Sequence, residues 1–130
     1  MAPLKRASGF TLLELIVVIT IMGVLVSIAL PNYRASIIQA QEAVLRENLY
    51  RMRDLIDQYQ SDKGKYPDTL QTLVSEGYLR QIPPDPFSPD PWVEIPPEMD
   101  SSSSEELTGV YNVKSSSTRV GMNGVPYSEW

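Results

Sequence analysis

The stretch KRASGFTLLELIVVITIMGVLVSIAL, Lys5 to Leu30, decides the architecture. From Phe10 to Leu30 it runs for 21 residues with one charged side chain, Glu14. A helix of that length is about 30 Å long, the thickness of a bilayer's hydrocarbon core. Lys5 and Arg6 precede it. Positive flanks stay on the cytoplasmic side, so the bulk of the chain is expected on the other side of the membrane. A carboxylate inside such a segment costs about 2.5–3.5 kcal/mol on insertion scales, and it is read as functional, with a partner to be found. A secretory signal peptide has a shorter apolar core, followed by a small-residue cleavage site. An uncut signal anchor has the right length. Neither explains Glu14.

The combination of residues resembles the N-terminus of the type IV pilins and the related pseudopilins. Those families have a basic leader ending in Gly, a cut before Phe, a Glu four residues beyond that Phe, a long apolar run and a Pro near its end. Here these are Lys5 and Arg6, Gly9, Phe10, Glu14 and Pro31. The resemblance implies that a membrane-embedded prepilin peptidase cuts between Gly9 and Phe10 and methylates the new Phe10 amine. That amine is ordinarily cationic at neutral pH. In a filament, Glu14 of one subunit can pair with the Phe10 amine of a neighbour, so that two charges each costly alone in an apolar bundle offset one another. A lesser role for Glu14 is to sit at the positive end of the helix dipole. Gly23 and Pro31 are expected to interrupt the apolar helix. Pro31 lacks an N–H and crowds the Ser27 carbonyl, which predicts a kink there. In this family the segment between such residues can loosen when subunits pack.

Beyond Pro31 the chain is polar but still helical in pattern. Ile38, Leu45, Leu49, Met52, Ile56 and Tyr59 fall on one stripe, with no Gly or Pro from Asn32 to Asp62. One helix from about Phe10 to about Asp62 is expected, its second half offering an apolar face to a small head. Arg46, Glu47, Arg51, Arg53, Asp54 and Asp57 are assigned to its outer, solvated face. Gly64 and Pro67 end the helix. Asp68 is the expected N-cap of a short helix through Ser75, with Gly77 as its stop. IPPDPFSPDPW, Ile82 to Trp92, holds five prolines in eleven residues and is read as a rigid extended loop anchored by Phe87 and Trp92. Strands are expected at Trp92–Ile95, Gly109–Ser115 and Arg119–Met122, with a turn at Asn123-Gly124, giving a sheet of three or four strands.

KYP before the short helix, GYLRQIPPDPF after it and the late PYSEW are similar to the major pseudopilin, the G-type subunit, of type II secretion systems. The implied fold class is α+β: a long N-terminal α-helix, membrane-spanning in its first half, packed on a small antiparallel β-sheet, pilin-like. The expected organisation is a leader at 1–9, a membrane or filament-core helix at 10–31, an amphipathic continuation at 32–62 and a periplasmic head at 63–130. The implied function is a structural subunit of a helical pseudopilus that drives export of folded proteins. Its partners would be further copies of itself, minor pseudopilins, the prepilin peptidase, an inner-membrane assembly platform with a cytoplasmic ATPase, and the membrane. A surface type IV pilin and a single-span periplasmic binding module are the alternatives. Many of those pilins close a loop with a disulfide, which this chain cannot do. A binding module would have no use for Glu14.

Composition narrows the function further. Lys and Arg number 11 against 16 Asp and Glu, a net charge of −5, and the cations are scattered, so nucleic acid is not an expected partner. There is no Cys and no His, which removes thiolate and imidazole chemistry and the usual zinc sites. No catalytic constellation is visible, and an enzyme is not expected. The resemblance brings calcium into view, because many major pseudopilins hold it in an Asp- and Gly-rich loop near the C-terminus. The corresponding SSSTRVGMNGVPYSEW has one acidic side chain, Glu129, and carries Arg119. Calcium takes six to eight oxygens, several of them charged, so it is poorly supported. Asp100, Glu105 and Glu106 of the preceding loop are the remaining candidate ligands.

Overall fold

A computed structural model describes Pro3, residues 8–98 and residues 108–130. Helix α1 spans Leu12–Lys63, α2 Leu70–Ser75, strand β1 Val93–Ile95 and strand β2 Asn112–Lys114, with a 3-10 turn at Tyr127–Glu129. The chain divides into two compact units, residues 1–38 and 39–130.

In the first unit α1 starts at a polar cap. The Glu14 N–H donates to Thr11 Oγ1 at 3.1 Å, and the Leu15 N–H donates to the Thr11 carbonyl at 3.1 Å. The helix then presents apolar side chains on every side, and Leu12, Val17, Met22 and Leu25 are all 48 % exposed or more. Among the described residues, α1 is the one helix long and apolar enough to cross a bilayer. Its hydroxyls are turned inward: Thr20 Oγ1 donates to the Ile16 carbonyl and Ser27 Oγ to the Val24 carbonyl, each at 2.7 Å. Such back-bonding keeps hydroxyls satisfied where no water is available. The helix runs through Gly23 and Pro31.

In the second unit the expected stripe is buried from Leu45 to Tyr59, whereas its first member, Ile38 at the end of the first unit, is half-buried. Leu45, Leu49, Met52, Ile56 and Tyr59 pack with Leu70, Leu73, Phe87, Trp92, Val110, Val113 and Tyr127 in one core. Full burial of an aliphatic side chain is worth about 1.5–3 kcal/mol, so this face holds the head to α1. Phe87 and Trp92 are the anchors of the proline-rich segment. The Phe87 ring stacks on Tyr127 with centroids 3.9 Å apart, and Trp92 Nε1 donates to the Pro83 carbonyl at 2.7 Å. Gly64 closes α1 at φ 74°, a left-handed conformation suited to a residue without Cβ.

Two expectations are corrected. The N-cap of α2 is Thr69, one residue beyond Asp68. The Thr69 N–H donates to Thr72 Oγ1 at 3.3 Å, and the first-turn N–H of Leu70 is met by the Glu94 carboxylate of β1 at 3.0 Å, so Asp68 is not needed. Among the described residues the sheet has two strands, paired antiparallel in the register Val93–Lys114, Glu94–Val113 and Ile95–Asn112. The third expected strand is reduced to a single bridge between Val120 and Pro126. Gly121 and Gly124 close a tight turn there, and Pro126 has no N–H with which to extend a ladder.

Candidate functional site

The residues singled out for processing lie outside helical structure. Ser8, Gly9 and Phe10 are non-helical and exposed, Phe10 at 88 %, and Gly9 has open space where a side chain would stand. Thr11 accounts for this, because its cap fixes the first helical turn just beyond Phe10. Thr11 was missed in the sequence, although TLLE fits the capping-box pattern of Ser or Thr followed three residues later by Glu. The cap uses the Glu14 backbone N–H and leaves the carboxylate uncommitted: among the described residues it receives no hydrogen bond and no cation. Lys5 and Arg6 lie outside the described residues. The isolated chain thus brings Gly9, Phe10 and Glu14 within five residues of one another, and places Gly23 and Pro31 further along the same helix.

A second glutamate behaves in the opposite way. Glu42 is 4 % exposed, and its Oε1 accepts from the Met122 N–H at 2.7 Å and from the Tyr127 hydroxyl at 2.9 Å. These bonds tie the last segment of the head to α1. A buried carboxylate is costly unless it is hydrogen-bonded, and here it is bonded twice. Burial, and then the bond to Glu42, push the Tyr127 phenol above its ordinary pKa. The sequence held a signal for Glu42. The apolar stripe has a gap of seven between Ile38 and Leu45, and position 42 fills it with steps of four and three.

Arg53 was assigned to the solvated face, and the structure corrects this. Its Nε donates to Asn112 Oδ1 at 2.7 Å, and its terminal nitrogen donates to the Val113 and Trp130 carbonyls at 3.0 and 2.9 Å. Partial burial lowers its pKa from the usual guanidinium value. Arg46 stays exposed, with its guanidinium lying over the Trp130 ring, 4.8 Å from its centre. Arg51 stays outside, paired with Glu47 at 3.3 Å. Where α1 ends, the Tyr78 hydroxyl donates to Asp62 at 2.6 Å, and that bond pushes the Tyr78 phenol up to about 12.

The described part of the late loop is a poor fit for a calcium ion, because it offers one side-chain carboxylate, Glu129, and its Ser115, Ser117 and Asn123 oxygens already make hydrogen bonds. Ser115 Oγ donates to Asp85, Ser117 Oγ accepts from the Arg119 N–H, and Asn123 Oδ1 accepts from the Val125 N–H. Arg119 stands 5.7 Å from the centre of the Phe87 ring, bringing a cation to the same region. No group of three or more acidic side chains with metal-binding geometry occurs among the described residues. Asp100, Glu105 and Glu106 lie outside them.

Residues 4–30 match the family described as the prokaryotic N-terminal methylation motif. The chain is 36 % identical over 103 residues to the type II secretion system core protein G of Klebsiella pneumoniae, a match covering 67 % of this chain and 74 % of that relative. It is 33 % identical over 101 residues to the protein of the same name in Escherichia coli strain K12, covering 65 % and 70 %. For Vibrio cholerae the figures are 30 % over 105 residues, covering 69 % and 72 %. No solved structure matches it significantly. With the methylation motif in place and these relatives matched over more than two thirds of their length, the chain belongs to the type II secretion system core protein G family of pseudopilins.

Proposed function

We propose that the protein is the structural subunit of a helical pseudopilus that drives export of folded proteins across the outer membrane. It is stored in the inner membrane with its head in the periplasm. Prepilin peptidase removes residues 1–9 and methylates Phe10. Residues 10–31 then serve as the membrane and filament-core helix, residues 32–62 continue it, and residues 63–130 complete the head. Assembly uses an inner-membrane platform driven by a cytoplasmic ATPase, with minor pseudopilins joining the fibre. The subunit itself performs no catalysis.

The observation that carries this reading is the uncommitted carboxylate of Glu14, one turn into a bare apolar helix. A charge so placed is costly in lipid. A neighbour's Phe10 amine supplies a cation at matching depth and sets the vertical register between subunits. Between Gly23 and Pro31 the helix then loosens as copies pack. Glu14→Ala in the full chain, expressed with its secretion system, tests the reading. The variant should be processed and remain in the membrane fraction while fibres and cargo export are lost. Normal fibres would refute the pairing role.

A further inference from the structure

Between Glu14 and Glu42 the chain carries one charged side chain, Arg34. It is exposed and has neither an ion pair nor a hydrogen bond among the described residues. The nearest carboxylates along the helix cannot meet it. Glu14 lies 20 residues back, roughly 30 Å at helical rise, and Glu42 is turned into the head by two bonds of its own. Arg34 is thus a cation without an anion in its own subunit.

Its surroundings have the form of an amphipathic site. A groove of about 320 Å³ is lined by Ser27, Leu30, Pro31 and Arg34. Leu30 and Pro31 give it an apolar floor. The Ser27 hydroxyl is taken by the Val24 carbonyl at 2.7 Å, so Arg34 is the one free side-chain donor among the lining residues. The groove begins inside the apolar run and ends one turn beyond it. Helical side chains lean toward the N-terminus, which lays the Arg34 stem back over Pro31 and brings the guanidinium to the edge of the hydrocarbon. Tyr33 beside it is 65 % exposed, an aromatic at the depth where such rings collect.

Resting on the membrane-stored subunit proposed above, we infer that this groove holds one phospholipid of the periplasmic-side leaflet, its phosphate on Arg34 and its acyl chain along Leu30 and Pro31. A planar guanidinium matches a phosphate oxygen pair, and the low-dielectric boundary strengthens the bond. The contact fixes the depth of the waiting subunit. With Arg34 at one boundary of a core about 30 Å thick, Glu14 lies at the other, within reach of headgroup water until another copy arrives.

The full chain carrying Arg6→Lys, which keeps the leader charge but removes its arginine, is made with carbon-13 at the arginine guanidinium. It is reconstituted in vesicles of phosphatidylethanolamine and phosphatidylglycerol. Phosphorus-31 should dephase a guanidinium signal in solid-state NMR, and Arg34→Lys should remove that dephasing. Dephasing that survives Arg34→Lys would belong to another arginine and overturn the site. Vesicles of a phosphate-free galactolipid bathed in inorganic phosphate should give none; dephasing there would make the site one for a free anion and overturn the lipid assignment. The chain has no cysteine, so single nitroxides report depth. A label at Leu13→Cys should shift in depth with Arg34→Gln and hold with Arg34→Lys, and an unchanged depth in both would overturn the anchoring role. A label at Val24→Cys separates the two readings. If it is shielded from an aqueous nickel complex while phosphorus dephases nothing, the lipid site is wrong and the membrane reading stands. If nickel reaches it, both fall.

Discussion

The two halves of α1 treat a glutamate in opposite ways. In the first half Glu14 sits among exposed Leu, Ile and Val side chains, and nothing described in its own subunit meets its carboxylate. In the second half Glu42 is buried and doubly bonded by its own head. A charge satisfied at home stabilises the fold. A charge left unsatisfied at home is available to another molecule. The apolar surface follows the same division: the first half leaves it uncovered, and the second buries a stripe of five against the head.

The largest effect expected from breaking this division is at the processing site. Gly9→Leu should block maturation altogether, seen by immunoblot and mass spectrometry as a heavier band that keeps residues 1–9. Without a free Phe10 amine Glu14 has no cation, and fibres should be absent. Next comes the core of the second half. Leu45→Ala, at a fully buried position, should cost the head about 2–5 kcal/mol by urea denaturation of a fragment from Asn32 onward. In the same assay Glu42→Ala should cost about 1–3 kcal/mol, because the Met122 N–H and the Tyr127 hydroxyl lose their acceptor. A stability unchanged by Glu42→Ala would remove Glu42 from the account of how the late segment is held.

Alkaline pH sharpens the comparison further. Tyr127 and Tyr78 have phenols raised above the ordinary value of about 10. Both folded values exceed the unfolded one, so the unfolded state releases protons first as pH rises. Their contribution to stability is complete below about pH 10 and declines above it, and for Tyr78 it is gone once pH passes about 12. Melting temperature should therefore hold to about pH 10 and then fall, with Tyr127→Phe flattening part of the fall. The smallest effect is expected from chelation: the fragment should melt at the same temperature with and without excess chelator, because the late loop offers one side-chain carboxylate and its Ser115, Ser117 and Asn123 oxygens are already hydrogen-bonded.

Much of this was legible in the residues. The apolar run, its single charge and the heptad-like stripe are local patterns, and local geometry decides them. Glu42 was legible too, as a polar residue at a stripe position, but it invites omission when only apolar residues are counted. Arg53 was not legible. Its position beside Met52 reads as solvated, and its acceptors, Asn112, Val113 and Trp130, come from a distant part of the chain. The third strand expected at Arg119–Met122 is cut to a single bridge because its partner position is Pro126, which a local reading of those four residues does not reveal. Thr69 displaced Asp68 as a cap because Glu94, 24 residues downstream of Leu70, supplied the missing acceptor.

The measurement that bears most directly on the division is a pair of readings on Glu14→Gln, a neutral side chain of the same shape. Processed full-length variant and parent are compared for fibre yield by electron microscopy and for thermal unfolding of the head. The account predicts loss of fibres with the unfolding temperature unchanged. Fibres at the parent's yield would contradict it, since the apolar helices would then be assembling without the charge pair.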